Sequence, residues 1–142
     1  MSVESNRTAI ESLLIAVRNR DDAAFASAYA DDAVVRQSGV PESLGGVQRG
    51  RDAIVENFRR QDPWTVDVRL MFGDDTHVCV VGKLSGIMTG TQTLKGNGQP
   101  FTTYECAVYR LRDGLIEEQL VFVNWLDAYV QSAMIDLGTL RA

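Results

Sequence analysis

Phe101-Thr102-Thr103-Tyr104-Glu105-Cys106-Ala107-Val108-Tyr109-Arg110-Leu111-Arg112-Asp113-Gly114-Leu115-Ile116-Glu117-Glu118-Gln119-Leu120-Val121-Phe122-Val123 is the stretch that decides the fold. Its two limbs, Phe101 to Leu111 and Leu115 to Val123, are rich in Val, Thr, Tyr and Phe, the composition of strands. Between them Arg112-Asp113-Gly114 is tight-turn chemistry, because Asp and Gly tolerate the backbone angles a short reversal needs. Strands joined by so short a loop pair antiparallel. Upstream, Trp64 to Phe72 and His77 to Met88 repeat the same composition around a second turn, Gly73-Asp74-Asp75. Thr89 to Pro100 forms a longer, glycine-containing connection between the two hairpins.

The first half of the chain has a different period. Ser5-Asn6-Arg7-Thr8 is placed to cap a helix in which Ile10, Leu13, Leu14 and Val17 recur on one face. Asp21 and Asp22 open a second, short helix, with Phe25, Ala28 and Tyr29 turned inward and the acidic groups at its positive end. Ala33 to Arg36 reads as a brief strand and Ser38 to Gly50 as loop. A third helix from about Arg51 carries Ile54, Val55 and Phe58 on one face and stops at Asp62-Pro63. After the strands, an amphipathic helix is expected from Leu126 to Leu137, with Gly138 as its C-cap. The order is that of one α+β domain over residues 1–142: a curved antiparallel sheet whose concave face is covered by helices around a pocket.

Composition narrows the function. Fourteen basic and nineteen acidic residues give a net charge of −5, with no Lys/Arg cluster, so nucleic acid is not an expected partner. The apolar runs are strand-sized, far below the ~20 residues of a membrane helix, and no secretory signal opens the chain. Two cysteines inside apolar segments and a single histidine point to buried thiols in a cytoplasmic protein, and no metal site is expected.

Three further segments carry a resemblance. Val78 to Gly86 followed by Gly98-Gln99-Pro100-Phe101-Thr102, Tyr109 to Glu118, and Ala28-Tyr29-Ala30-Asp31-Asp32-Ala33-Val34-Val35 resemble, in order, motifs of the SnoaL-like polyketide cyclases. That family lies within the nuclear-transport-factor-2-like (NTF2-like) superfamily. The resemblance implies its cone-shaped fold, and it implies acid/base cyclisation or isomerisation of a polyketide- or terpenoid-like carbonyl substrate, without a cofactor. In such cyclases an aspartate works as acid/base where the last strand enters the final helix. Aligned from Asp113-Gly114, that position is Asn124, an amide that cannot take a proton as a carboxylate does. Asp127, one helical turn on, is the nearest carboxylate. The ketosteroid isomerase branch would place an aspartate where Gln37 stands and a tyrosine where Leu13 stands. The limonene epoxide hydrolase branch would need Arg and Asp on the strand where Gly82 and Leu84 face inward. Both branches are disfavoured.

Strand alternation assigns faces independently of any family. Val80, Gly82 and Leu84 face the pocket, as do Thr103, Glu105, Ala107 and Tyr109, and, if Asn124 is inward, Phe122, Leu120 and Glu118. Glu105, Asn124 and Asp127 are therefore the catalytic candidates: a desolvated carboxylate to shuttle a proton and an amide to hold a developing enolate oxygen. Gln37, Trp64, Gly82, Leu84, Tyr109 and Phe122 are the candidates for binding substrate, with Gly82 widening the cavity. Asn124 as a helix cap, Asp127 as a partner of the helix dipole and an outward Glu105 are the structural alternatives. Other functional outcomes are a non-catalytic protein binding a hydrophobic ligand, and a hydrolase or dehydratase. The outer sheet face, with Cys79, Val81, Cys106, Val108, Val121 and Val123, is apolar enough to predict a homodimer.

Overall fold

The computed structural model describes residues 2–90, 95–136 and 138. Helix α1 spans Val3–Asn19 and begins earlier than expected, because Ser2 and Ser5 cap each other reciprocally: the Ser2 hydroxyl accepts from the Ser5 N–H and the Ser5 hydroxyl from the Ser2 N–H. Ile10, Leu13, Ala16 and Val17 form its buried face. Arg20, left-handed at φ 53°, ends it, and Asp21 caps the short helix α2 (Asp22–Ser27) through the Ala24 N–H. Tyr29 is not helical as expected. It opens strand β1 (Tyr29–Gln37), which is longer than the brief strand read from Ala33 to Arg36. The segment read as loop contains a single 3-10 turn (Glu42–Leu44) and a three-residue strand β2 (Val47–Arg49) too short to leave a pattern in sequence.

Helix α3 (Arg51–Arg60) buries Ile54, Val55 and Phe58, the face that its spacing predicts. Phe58 stacks on Phe25 with ring centroids 4.0 Å apart, and the Arg20 guanidinium lies 4.3 Å over the Phe58 ring. Arg20 also donates to the carbonyls of Phe58 and Gln61 at the helix end. Strands β3 (Trp64–Gly73), β4 (His77–Ile87), β5 (Pro100–Arg112) and β6 (Leu115–Val123) follow, within a residue or so of the expected limits. Helix α4 (Trp125–Gln131) ends sooner than expected, at Ser132 and a left-handed Ala133, so Gly138 is not its cap. Leu137, in that expected helix, and residues 91–94 of the connection lie outside the described residues.

The six strands form one sheet in the order β2-β1-β6-β5-β4-β3. All neighbours are antiparallel except β1 and β6, which run parallel. A parallel pair needs a long crossover, and the intervening helix and hairpins supply it. Helix α1 packs on β3 and β4 and α3 on β1 and β2, covering the concave face, as the α+β cone predicts. No helix among the described residues is long and apolar enough to cross a membrane.

One irregularity governs the lining of the cone. In the β5–β6 pair, Leu111 faces Ile116 but Arg110 faces Glu118, so Glu117 is an extra residue on β6. From there the strand's faces are exchanged relative to a regular hairpin. Gln119, Val121 and Val123 stand opposite Tyr109, Ala107 and Glu105 and face inward, while Leu120 and Phe122 stand opposite Val108 and Cys106 and face outward. The expected inward set of Phe122, Leu120 and Glu118 is thereby corrected. So is the outer face, which carries Leu120 and Phe122 in place of Val121 and Val123.

Candidate active site

A cavity of about 390 Å³ lies between the concave sheet face and α1, α3, α4 and the segment around Val40 and Leu44. Its walls are mostly aliphatic and aromatic, and apart from Gln37, Gln48 and Tyr129 the polar side chains of the lining fall into two groups. Asn57, Arg60, Gln61 and Asp62 sit together where α3 ends. Glu105 and Tyr109 come from β5, Gln119 from β6 and Tyr29 from β1.

Glu105 is where alternation on β5 predicts, only 8% exposed, between Gly82 of β4 and Val123 of β6 in the sheet register. Neither flanking residue offers a hydrogen bond from its side chain, so the carboxylate exchanges water for apolar surroundings. Desolvation alone pushes its pKa up to about 7. Tyr109, two inward positions along β5, is buried, and burial together with the charges of Tyr29 and Glu105 holds its phenol well above the ordinary value. Tyr109 therefore stays protonated and available as a donor near neutral pH. Opposite it, Gln119 accepts a hydrogen bond of 2.6 Å from the Tyr29 hydroxyl in the buried wall.

Of the remaining sequence candidates, Gln37, Trp64 and Leu84 line the same cavity. The indole N–H of Trp64 donates to Gln61 Oε1 at 2.9 Å, fixing the ring across the end of α3. Gly82 is on the inward face but does not line this cavity. A Cβ there would stand 2.7 Å from both the Asp67 carbonyl oxygen and Val66 Cγ1, so its small size lets β3 approach β4. Phe122 points outward and is 48% exposed, through the extra residue at Glu117.

Asn124 and Asp127 do not join Glu105. Asn124 is the N-cap of α4, its side-chain oxygen accepting from the Asp127 N–H at 3.2 Å, and it is exposed. Asp127 accepts from Gln131 Nε2 at 3.0 Å; that bond and one from Thr103 lower its pKa. An acid held in its charged form outside the cavity is a poor proton shuttle. Among the described residues no group of three His, Cys, Asp or Glu is arranged to hold a metal ion.

Sequence reasoning missed Gln119, and Tyr29, a residue of the hydrophobic core, also lines the cavity. The indole N–H of Trp125, another residue of the cavity wall, is buried and donates to no acceptor among the described residues. The adjacent pair Glu117-Glu118 held the missing signal for Gln119. Strict alternation would turn one of two neighbouring carboxylates inward, whereas an extra residue lets Arg110 reach both on the outer side, at 2.7 and 3.4 Å.

Solved structures share this architecture throughout. A protein described as a putative polyketide cyclase from Xanthomonas campestris pv. campestris superposes with a TM-score of 0.78 at 19% identity, over 94% of this chain and 98% of that one. A second protein so described, from Streptomyces antibioticus, gives 0.73 at 21% identity over 89% and 96%. An LEH-like epoxide hydrolase of M. tuberculosis gives 0.74 at 19% identity over 92% and 91%. At such identities the likeness is one of fold. No curated protein matches the sequence. The family model of the SnoaL-like domain matches residues 10–119, from the buried face of α1 to Gln119 in the cavity wall, and the chain belongs to that family.

Proposed function

We propose that the protein is a cofactor-independent enzyme that moves a proton on a carbonyl-bearing, largely apolar small molecule of polyketide or terpenoid type. Glu105 is the base. The observation that carries this reading is a single buried carboxylate in an apolar cavity with a pKa of about 7, where both of its protonation states are populated at working pH. Its carboxylate takes a proton from the carbon next to the carbonyl. The C–H electron pair forms a carbon–carbon double bond, the carbonyl π pair moves onto the oxygen, and the Tyr109 hydroxyl donates a hydrogen bond to that oxygen. Return of the same proton to a different carbon isomerises the substrate. Attack of the enolate carbon on a second carbonyl closes a ring instead, and Glu105 then protonates the new alkoxide.

The test is a pH–rate profile on a trapped or co-purified ligand and its analogues. Turnover rising with pH to a plateau above about 7, and lost in Glu105→Gln, fits the proposal. Equal rates in Glu105→Gln remove the base. A second reading, a non-catalytic binder of hydrophobic ligands, is favoured by Asn124 standing as a helix cap at the position where the cyclases carry their aspartate. It predicts ligand affinity without turnover.

Two further features belong to the proposal. The outer strip of Leu70, Phe72, Val81, Leu120 and Phe122 has no helix of the described residues over it, and a second copy of the chain is its expected cover. Cys79 and Cys106 on that face are free thiols, which fits a reducing compartment such as the cytoplasm.

A further inference from the structure

Tyr29 and Gln119 form a hydrogen-bonded polar pair in the cavity wall. Both side chains are buried and line the cavity. The Tyr29 hydroxyl makes one hydrogen bond, to Gln119 Oε1 at 2.6 Å. The phenol proton has no other acceptor among the described residues. Reversing the amide would leave that proton buried without a partner, at a cost that fixes the orientation. With Oε1 committed to Tyr29, Gln119 Nε2 and its two hydrogens are left with no partner among the described residues. They lie directly across the β5–β6 register from Tyr109.

We infer that Gln119, its amide oriented by Tyr29, donates a hydrogen bond to a neutral carbonyl oxygen of the ligand, so that the pocket selects ketones over the corresponding carboxylates. The inference rests on the cavity being the ligand site proposed above. Selection against a carboxylate follows from the rest of the wall. Its one basic side chain among the described residues is Arg60, at the end of α3 and already bonded to Glu56 at 3.0 Å, and Glu105 would repel an anion once ionised. Gln119 is thus a specificity-determining residue, and Tyr29 a positioning residue that acts through it.

Binding of menthone, its hydrocarbon parent p-menthane and p-menthane-3-carboxylate to the full chain at pH 8 tests this. The readout is the fluorescence of Trp64 and Trp125, the two tryptophans of the chain, both in the cavity wall. Wild type is expected to bind menthone about tenfold more tightly than p-menthane, with the carboxylate weakest. Gln119→Leu should bring the menthone to p-menthane ratio close to one while keeping p-menthane affinity, which also shows that the variant is folded. Tyr29→Phe frees the amide to rotate and should lower the ratio about threefold. Glu105→Gln should keep the ketone preference. A preference retained in Gln119→Leu, equal affinities for ketone and hydrocarbon in wild type, or no saturable binding of menthone overturns the inference. Loss of preference in Glu105→Gln alone also overturns it, while leaving Glu105 as the centre of the site. Loss in Gln119→Leu together with pH-independent turnover upholds it and removes the acid/base mechanism instead.

Discussion

Replacing Glu105 by Gln should make the protein more stable at alkaline pH and change little in acid. The carboxyl is protonated up to about pH 7 in the folded chain, against an ordinary value of 4.5. The folded pKa is raised, so the folded state holds its proton longer than the unfolded chain does. Native stability is therefore undiminished below pH 4.5 and falls as pH rises through the window up to 7. A difference of this size corresponds to about 3 kcal/mol when complete, and about 2.5 kcal/mol accrues between pH 5 and pH 8. Gln has nearly the same shape and hydrogen-bonding groups as the neutral acid but never ionises. Urea unfolding of both proteins at a series of pH values gives the difference directly, since every other ionisable group is common to the pair and cancels. The two stability curves should lie close together near pH 5 and diverge, with the variant higher, by pH 8. Parallel curves would refute the reasoning: they would mean that water or a partner solvates the carboxylate in the native cavity, and the case for Glu105 as a tuned base would go with it.

Asn124→Ala should lower stability by about 1 kcal/mol through loss of the α4 cap, measured by urea unfolding, while menthone affinity stays at the wild-type level; a collapse of affinity would return Asn124 to the site. Gly82→Ala should cost about 1–3 kcal/mol, because its methyl meets the Asp67 backbone and Val66, and the same denaturation experiment reads it; an unchanged midpoint would show that β3 gives way freely. Phe122→Lys places a charge in the middle of the uncovered outer face and should shift the molecular mass in light scattering from dimer to monomer, whereas a wild-type protein that is already monomeric at micromolar concentration removes the proposed second copy.

Where the chain obeys a simple period, its faces were readable in advance. On β4 and β5 the register runs without interruption from His77 to Ile87, so that alternation alone placed Leu84, Glu105 and Tyr109 on the inside. The turn at Asp113-Gly114, both at positive φ, was equally clear, as Asp-Gly is the pair such a reversal demands. Legibility failed where one residue broke the count. Glu117 reversed the lining of β6, hid Gln119 and put Phe122 outside. Tyr29 was misplaced for a different reason. An aromatic residue one helical turn after Phe25 fits the face of a helix, and only the pairing of Tyr29 with Ile116 of β6, distant in sequence, makes it a strand. The short β2 and the early end of α4 depend in the same way on tertiary contacts rather than on local propensity.

The supernumerary Glu117 makes the lining of this cone a matter of register as much as of composition. Were the same residues to pair without the irregularity, Glu118, Leu120 and Phe122 would stand opposite Tyr109, Ala107 and Glu105, and the amide now held by Tyr29 would turn to the outer face. Three contacts with the guest molecule would be rewritten with no codon changed, a leap that point substitutions could match only through several intermediates.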